Sequence, residues 1–242
     1  MTCDTFSFAG GPVHRLGCRI GLVRGGTNSL PFGLALGALL WVVLAALAAI
    51  QNDTDRLFSL SVIGVHVRLL VAIPLFFFCE SSIDPRLTAF VVMIVHSGIV
   101  PARERRSLEK EVARTGRAID AWWAEAACLL VAVLVSLSAS RLHLSGITST
   151  LDPARAGDRP WGALWYWIVC LTLFRFLILR WIWRIVLWAL LLRRVMQLDL
   201  ELIPTHPDGA AGLGYLEVVH TYFMSLVLAL SAVQAASPAP GT

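Results

Sequence analysis

The part of the chain with the clearest chemical character is a proline- and glycine-rich segment, PTHPDGAAGLG, at residues 204–214. Two prolines flank His206, and three glycines follow Asp208. Proline restricts φ and glycine permits positive φ, so this alternation shapes backbone N–H groups into a defined path. Such a path at the start of a helix favours anions. The residues predicted to bind an anion or a lipid headgroup here are His206, Asp208, Gly209, Gly212 and Gly214.

The same segment admits two other interpretations. It can be a tight turn between helices, in which Asp208 caps the following segment and His206 packs at an interface. It can also be catalytic, with His206 as acid or base and Asp208 as the group that orients it. With Glu201 and Glu217 nearby, His206 and Asp208 could also hold a metal or exchange protons. The spacing is not that of a zinc site, however, so neither a metal nor a cofactor is predicted.

A second polar pair follows directly, because Glu217 and His220 lie three residues apart on one helical face. This spacing occurs in carboxylate-bridged diiron bundles, but those sites need several such pairs. A structural polar pair that reaches back to Arg175 is the favoured interpretation.

Three arginines precede the segment and extend the predicted anion site. Arg180 and Arg184 are four residues apart and share a helical face, and Arg194 falls about 40° away at 100° per residue. We expect all three at the cytoplasmic headgroup level, where each contributes on the order of 1 kcal/mol of preference for anionic lipid.

The elements that position these residues are apolar helices. The chain has 242 residues, of which 57% are hydrophobic and 15% charged, and residues 31–50 contain no charge at all. Twenty helical residues cover a bilayer core of about 30 Å, and helices satisfy their own backbone hydrogen bonds in lipid. The sequence therefore predicts an all-α polytopic transmembrane bundle. The expected five spans are about 31–50, 60–80, 121–139, 161–180 and 216–235.

Other segments are expected outside these spans. Residues 101–120 form an amphipathic cytoplasmic helix, whose apolar positions Leu108, Val112, Ile119 and Trp123 recur at helical spacing and are interrupted by Thr115. Residues 86–100 are short for a span and favour an interfacial or core-packed helix. The expected tails are a disordered cytoplasmic segment at 1–30 and a short one at 236–242.

Arg68 lies near the start of the second predicted span, at 60–80. If that span begins near Val67, Arg68 reaches interfacial water; if it begins at Leu60, the arginine is two turns deep and needs a partner. We favour the interfacial position.

Arginine distribution predicts the orientation. Positive charge is concentrated in the N-terminal segment and at residues 80–120 and 180–215, so the positive-inside rule puts the N-terminus in the cytoplasm. Nineteen arginines stand against one lysine, which favours a GC-rich bacterial source and hence the inner membrane. The arginines adjoin apolar segments, so nucleic acid is not an expected partner.

The run RFLILRWIWRIVLWALLLRRVMQLDLELIPTHPDGAAGLGYLE at 175–217 resembles a stretch typical of an uncharacterised family of bacterial multi-pass inner-membrane proteins. The resemblance extends less firmly back through residues 60–140. It implies no established activity, and it implies further apolar sequence and a charged cytoplasmic tail beyond this segment.

These patterns predict a non-enzymatic membrane module that binds an anionic group or a partner through its cytoplasmic 204–214 loop, as a transporter or channel component. Its partners would be the bilayer, anionic headgroups, and a second copy or another membrane protein. The alternative is a membrane-embedded enzyme that acts on a lipid headgroup.

Overall fold

The computed structural model of the protein describes residues 10–23, 28–52, 54–58, 62–96, 100–101, 103–142, 161–198 and 214–236. Within these ranges every regular element is a helix, which confirms the predicted all-α class. In chain order they are α1 (Pro12–Arg19), α2 (Leu30–Ile50), α3 (Thr54–Leu57), α4 (Ile63–His66), π1 (Val67–Ala72), α5 (Ile73–His96), α6 (Arg105–Ile119), α7 (Trp122–Leu142), α8 (Trp161–Trp165), π2 (Tyr166–Cys170), α9 (Leu171–Val195), α10 (Tyr215–Tyr222) and α11 (Met224–Ala235).

Three of the described helices are long and apolar enough to cross a membrane. They are the 21-residue Leu30–Ile50, the 32-residue Ile63–Ile94 and the 35-residue Trp161–Val195. The number rises to four if α6 and α7, which meet at a bend of 46°, count as one broken span.

The second of these helices joins two runs that the sequence suggested as separate elements. The predicted span at 60–80 and the short helix at 86–100 lie on one continuous path that passes through Pro85. Proline removes a backbone hydrogen bond within a helix, but the buried side chains of Leu87, Phe90 and Ile94 stabilise the helix beyond Pro85. The shorter run is therefore not a separate short helix: over its described part it continues the candidate span and buries apolar side chains.

The C-terminal run divides at Phe223 into α10 and α11. Its apolar helix, Val219–Ala235, is shorter than the candidate spans. The fifth span at 216–235, and with it the count of five, stays a prediction.

Part of the expected disordered tail is a helix, so the prediction for 1–30 is wrong at Pro12–Arg19. The N–H of Gly11 donates to Asp120 Oδ1 at 3.0 Å, and the N–H of Val13 donates to Glu125 Oε2, also at 3.0 Å. These carboxylates satisfy amides at the start of α1 from more than one hundred residues away. These long-range hydrogen bonds could not be predicted from the sequence of the N-terminal segment. Residues 1–9 and 24–27 of the predicted tail lie outside the described residues.

The chain forms two compact units. Unit 1 comprises Met1–Ser29, Cys79–Glu125 and Trp181–Met224, and unit 2 comprises Leu30–Phe78, Ala126–Arg180 and Ser225–Thr242. The helices α5, α7 and α9 contribute residues to both units.

Within unit 1, α6 buries one face, as its periodicity predicts. Leu108, Val112 and Ile119 are buried, and Thr115 joins them instead of interrupting them. The Thr115 hydroxyl donates to the carbonyl of Glu111 at 2.9 Å, which satisfies its polar group inside the apolar face. Trp123, expected on the same face, is exposed because it follows the bend into α7.

Within unit 2, α2 packs closely against π1. A methyl group added at Gly37 would overlap the carbonyl oxygen of Leu69, and one added at Gly33 would overlap the Phe77 ring. Small residues that allow close backbone approach are a common basis of helix packing in membranes. The indole N–H of Trp165 also donates to the Leu40 carbonyl at 3.4 Å.

Candidate functional sites in the two units

The first candidate site, in unit 1, is built on a buried ion pair between α5 and α9. Arg184 Nη1 lies 3.0 Å from Glu80 Oε1, and the two side chains are 2% and 1% exposed. A buried charge is costly unless it is paired and hydrogen-bonded, so each of these groups makes the burial of the other tolerable. We call the residues Glu80, Arg184, His14 and Gly10 the Glu80 cluster.

The Glu80 cluster also holds the N-terminal segment. Arg184 Nη2 donates to the carbonyl of Gly10 at 2.8 Å, and His14 Nδ1 lies 3.8 Å from Glu80 Oε1. Gly11 takes φ of 97°, and a methyl group there would overlap the Glu125 carboxylate, so glycine is needed at this position. The arrangement suits docking of α1 onto charged residues of the helices around it.

The second candidate site, in unit 2, pairs an arginine with a tyrosine. Arg68 Nη1 donates to Tyr166 Oη at 2.6 Å, and the side chains are 3% and 1% exposed. Arg68 is thus buried and has the partner that the deeper alternative required, while its depth in a bilayer stays a prediction. The helix begins at Ile63, before Arg68, so Arg68 lies within the helix and among packed side chains.

Both partners lie in π-helical turns, Arg68 in π1 and Tyr166 in π2. Single π turns inside α-helices are often found at functional sites, since they redirect side chains that a regular helix would place elsewhere.

The helix α9, which follows π2 directly, contributes a second arginine. Arg175 Nη1 donates to Ser136 Oγ at 2.8 Å. Thr172 Oγ1 donates to the same hydroxyl at 2.9 Å. We call Arg68, Tyr166, Arg175, Ser136 and Thr172 the Arg68 cluster.

A histidine lies two residues before Arg68. Trp41 Nε1 donates to His66 Nδ1 at 2.9 Å, so Nδ1 accepts and Nε2 carries the proton that is donated to the Leu57 carbonyl at 2.8 Å. With Phe58 stacked on its ring at 6.1 Å, this imidazole is fully engaged in packing and hydrogen bonding. Its role is structural.

The three arginines of the predicted anion site differ in environment. Arg180 and Arg184 are each 2% exposed, so neither guanidinium has the surface position that the sequence suggested. Arg194 pairs with Glu111 where both side chains are about one-third exposed. Anion binding by these arginines stays a prediction.

The loop residues of the predicted site, His206, Asp208, Gly209 and Gly212, lie outside the described residues, as does the catalytic alternative for the first two. Gly214 is described and caps α10 with φ of −59°, a conformation that any residue adopts.

The Glu217–His220 pair belongs to unit 1 and Arg175 to unit 2, so the favoured contact between them stays a prediction. His220 Nδ1 lies 2.7 Å from the Leu216 carbonyl, while Arg175 bonds to Ser136. Both members of the pair are exposed. Among the described residues, no group of three or more His, Cys, Asp and Glu side chains is arranged to hold a metal ion.

Sequence reasoning missed most of both clusters. Glu80 carried a usable signal, because a carboxylate next to the apolar run FFFC indicates a buried partner. His14, Tyr166 and Ser136 carried none, since their residue types are common and their partners are distant in sequence.

Over the described residues, the fold is all-α, with three or up to four helices suited to a membrane. Ionic groups are buried in both units. Comparisons with protein-family models, with curated proteins and with solved structures find no match to this chain.

Proposed function

We propose that the protein is a non-enzymatic, multi-pass membrane module that binds an anionic group or a partner at the end of α9 and the 204–214 loop. The long apolar helices support the membrane location, since Leu30–Ile50 alone is 21 residues long and contains no charged residue. A transporter or channel component of the bacterial inner membrane fits this proposal, in line with the family resemblance of residues 175–217.

The observation that carries the binding proposal is the ion pair of Arg194 and Glu111. Both side chains are about one-third exposed, and exposed ion pairs have a small net energy. A phosphate oxygen can therefore replace the carboxylate at low cost, since charge-assisted hydrogen bonds from arginine to phosphate are strong. Arg193, the neighbouring residue, is exposed and adds positive charge at the same helix end.

Two opposite substitutions test this site. Arg194→Gln should weaken retention of phosphatidylglycerol about fivefold, because one arginine at an anionic surface contributes about 1 kcal/mol. Glu111→Gln should strengthen it, because the competing carboxylate is removed. Native mass spectrometry of the full chain with phosphatidylglycerol and phosphatidylcholine measures both.

Arg114→Gln, on the exposed side of α6, is the matched control for a lost positive charge. Changes of the same sign in Arg194→Gln and Glu111→Gln would contradict anion exchange at this pair and indicate a purely structural contact.

The orientation is proposed from the arginine distribution: N-terminus and α6 cytoplasmic, residues 141–160 outside, and about five spans. A cysteine introduced at exposed Ser107 should be protected from a membrane-impermeant maleimide in intact cells, and one introduced at Thr150 should react. The reverse pattern would contradict the orientation.

A further inference from the structure

The exposed side of α1 combines two kinds of residue that rarely share a solvated surface. Arg15 and Arg19 lie four residues apart and are both exposed. Each is followed by an exposed apolar residue: Leu16 is 50% exposed and Ile20 is 57% exposed. Gly17, on the opposite side, is buried. A helix that shows apolar and cationic side chains together is typical of membrane interfaces, where the apolar groups enter the acyl boundary and arginine meets phosphate.

Contacts within unit 1 set the position of α1 beside the α6–α7 junction. Arg15 Nη2 donates to the carbonyl of Asp120 at 3.0 Å, and the N–H of Gly11 donates to the side chain of the same residue. The N–H of Val13 reaches Glu125 in the first turn of α7. Three hydrogen bonds thus tie the short helix to residues 120–125.

That junction carries its own interface marker. Trp122 and Trp123, the first residues of α7, are 70% and 55% exposed. Exposed tryptophans where an apolar helix begins are typical of the headgroup layer, since the indole has one apolar and one polar side. Because α1 is bonded to the residues on either side of these tryptophans, its exposed side lies at the same level.

We propose that Arg15, Leu16, Arg19 and Ile20, together with Trp122 and Trp123, form a surface that inserts into the headgroup layer and selects anionic lipid. The charge of the surface and its exposed apolar side chains both complement such a layer. This proposal depends on the proposed membrane location, but not on the Arg194 site or the 204–214 loop.

A native cysteine makes the surface testable. Cys18 is exposed on α1, whereas Cys79 and Cys170 are buried, so an environment-sensitive fluorophore can be attached at Cys18 in a Cys3→Ser, Cys128→Ala background. The labelled full chain is placed in nanodiscs of phosphatidylcholine and phosphatidylglycerol. Spin-labelled phosphatidylglycerol or spin-labelled phosphatidylcholine is then added as quencher at equal mole fraction. Ser107→Cys, exposed on α6, provides the reference site.

Stronger quenching at Cys18 than at the reference site, and stronger quenching by phosphatidylglycerol than by phosphatidylcholine, supports the proposal. Replacing Arg15 and Arg19 with Gln should reduce the preference for phosphatidylglycerol about fivefold per arginine. Replacing Leu16 and Ile20 with Asp should reduce quenching by both lipids. All four side chains are exposed, and after loss of the Arg15 hydrogen bond the N–H groups of Gly11 and Val13 still bond α1 to Asp120 and Glu125.

Quenching at Cys18 no stronger than at the reference site, or equal for the two lipids, overturns the surface. A chain that cannot be reconstituted in nanodiscs overturns the membrane location as well, and this outcome separates the two failures. If the preference for phosphatidylglycerol is lost at the Arg194 site but retained at α1, the α1 proposal is still supported.

Discussion

The two units bury arginine in different ways. In unit 1, Arg184 pairs with the carboxylate of Glu80, whereas in unit 2, Arg68 and Arg175 donate to the hydroxyls of Tyr166 and Ser136. A carboxylate supplies both an acceptor and an opposite charge, while a hydroxyl supplies an acceptor only.

The difference has energetic consequences. Removing one member of a buried ion pair leaves a charge that has lost its counter-charge, whereas removing a hydroxyl acceptor leaves one N–H group without that hydrogen bond. The Glu80–Arg184 pair should therefore be more sensitive than the Arg68–Tyr166 pair to the loss of one partner.

The largest effect is expected for Glu80→Ala, which leaves the Arg184 guanidinium buried without its carboxylate. Loss of one partner from a buried pair costs about 3–5 kcal/mol. Thermal unfolding of the full chain in detergent measures it. The double substitution Glu80→Leu with Arg184→Leu should recover most of the stability, because it removes both charges. A double variant as unstable as the single one would refute the pairing argument.

A smaller loss is expected for Tyr166→Phe, which removes only the hydroxyl that Arg68 donates to. Loss of one buried hydrogen bond from a charged donor costs about 1–3 kcal/mol. The same unfolding assay applies, and adding Arg68→Met should restore part of the loss. If Tyr166→Phe costs as much as Glu80→Ala, the proposed difference between the units is incorrect.

The smallest loss is expected for Ser136→Ala, at about 1 kcal/mol, because Ser136 and Arg175 are only partly buried and the groups that lose the hydrogen bond are not fully enclosed. Its hydroxyl accepts from both Arg175 and Thr172, so both donors are affected. Ser138→Ala is the matched control, since that hydroxyl is exposed and donates only to the Val135 carbonyl in its own helix. Equal stability of the two variants would show that the shared acceptor contributes nothing.

The elements that sequence reasoning anticipated are those whose signal is local. The apolar run at 31–50 matches Leu30–Ile50 within one residue at its start, and the periodicity of Leu108, Val112 and Ile119 identified the buried face of α6. Both signals arise from residues within a few turns of one another, so each can be recognised from the sequence of one helix alone.

The elements that were missed depend on distant partners. α1 has only eight residues, too few to be stable alone, and it forms where Asp120, Glu125 and Arg184 meet its first residues. Likewise, whether Arg68 is buried against a partner could not be predicted from its own helix. It depended on Tyr166, which lies 98 residues away.

By itself, then, the sequence determined the helical class, the apolar segments suited to a bilayer and the amphipathic face of α6, because hydrophobicity and helical period act over short stretches of chain. Only the tertiary structure decided which distant polar groups meet: Glu80 with Arg184, Arg68 with Tyr166, and the start of α1 with both carboxylates at the α6–α7 junction. The physical reason is that a buried ionic group requires a partner, and the partner's identity follows from which helices pack together.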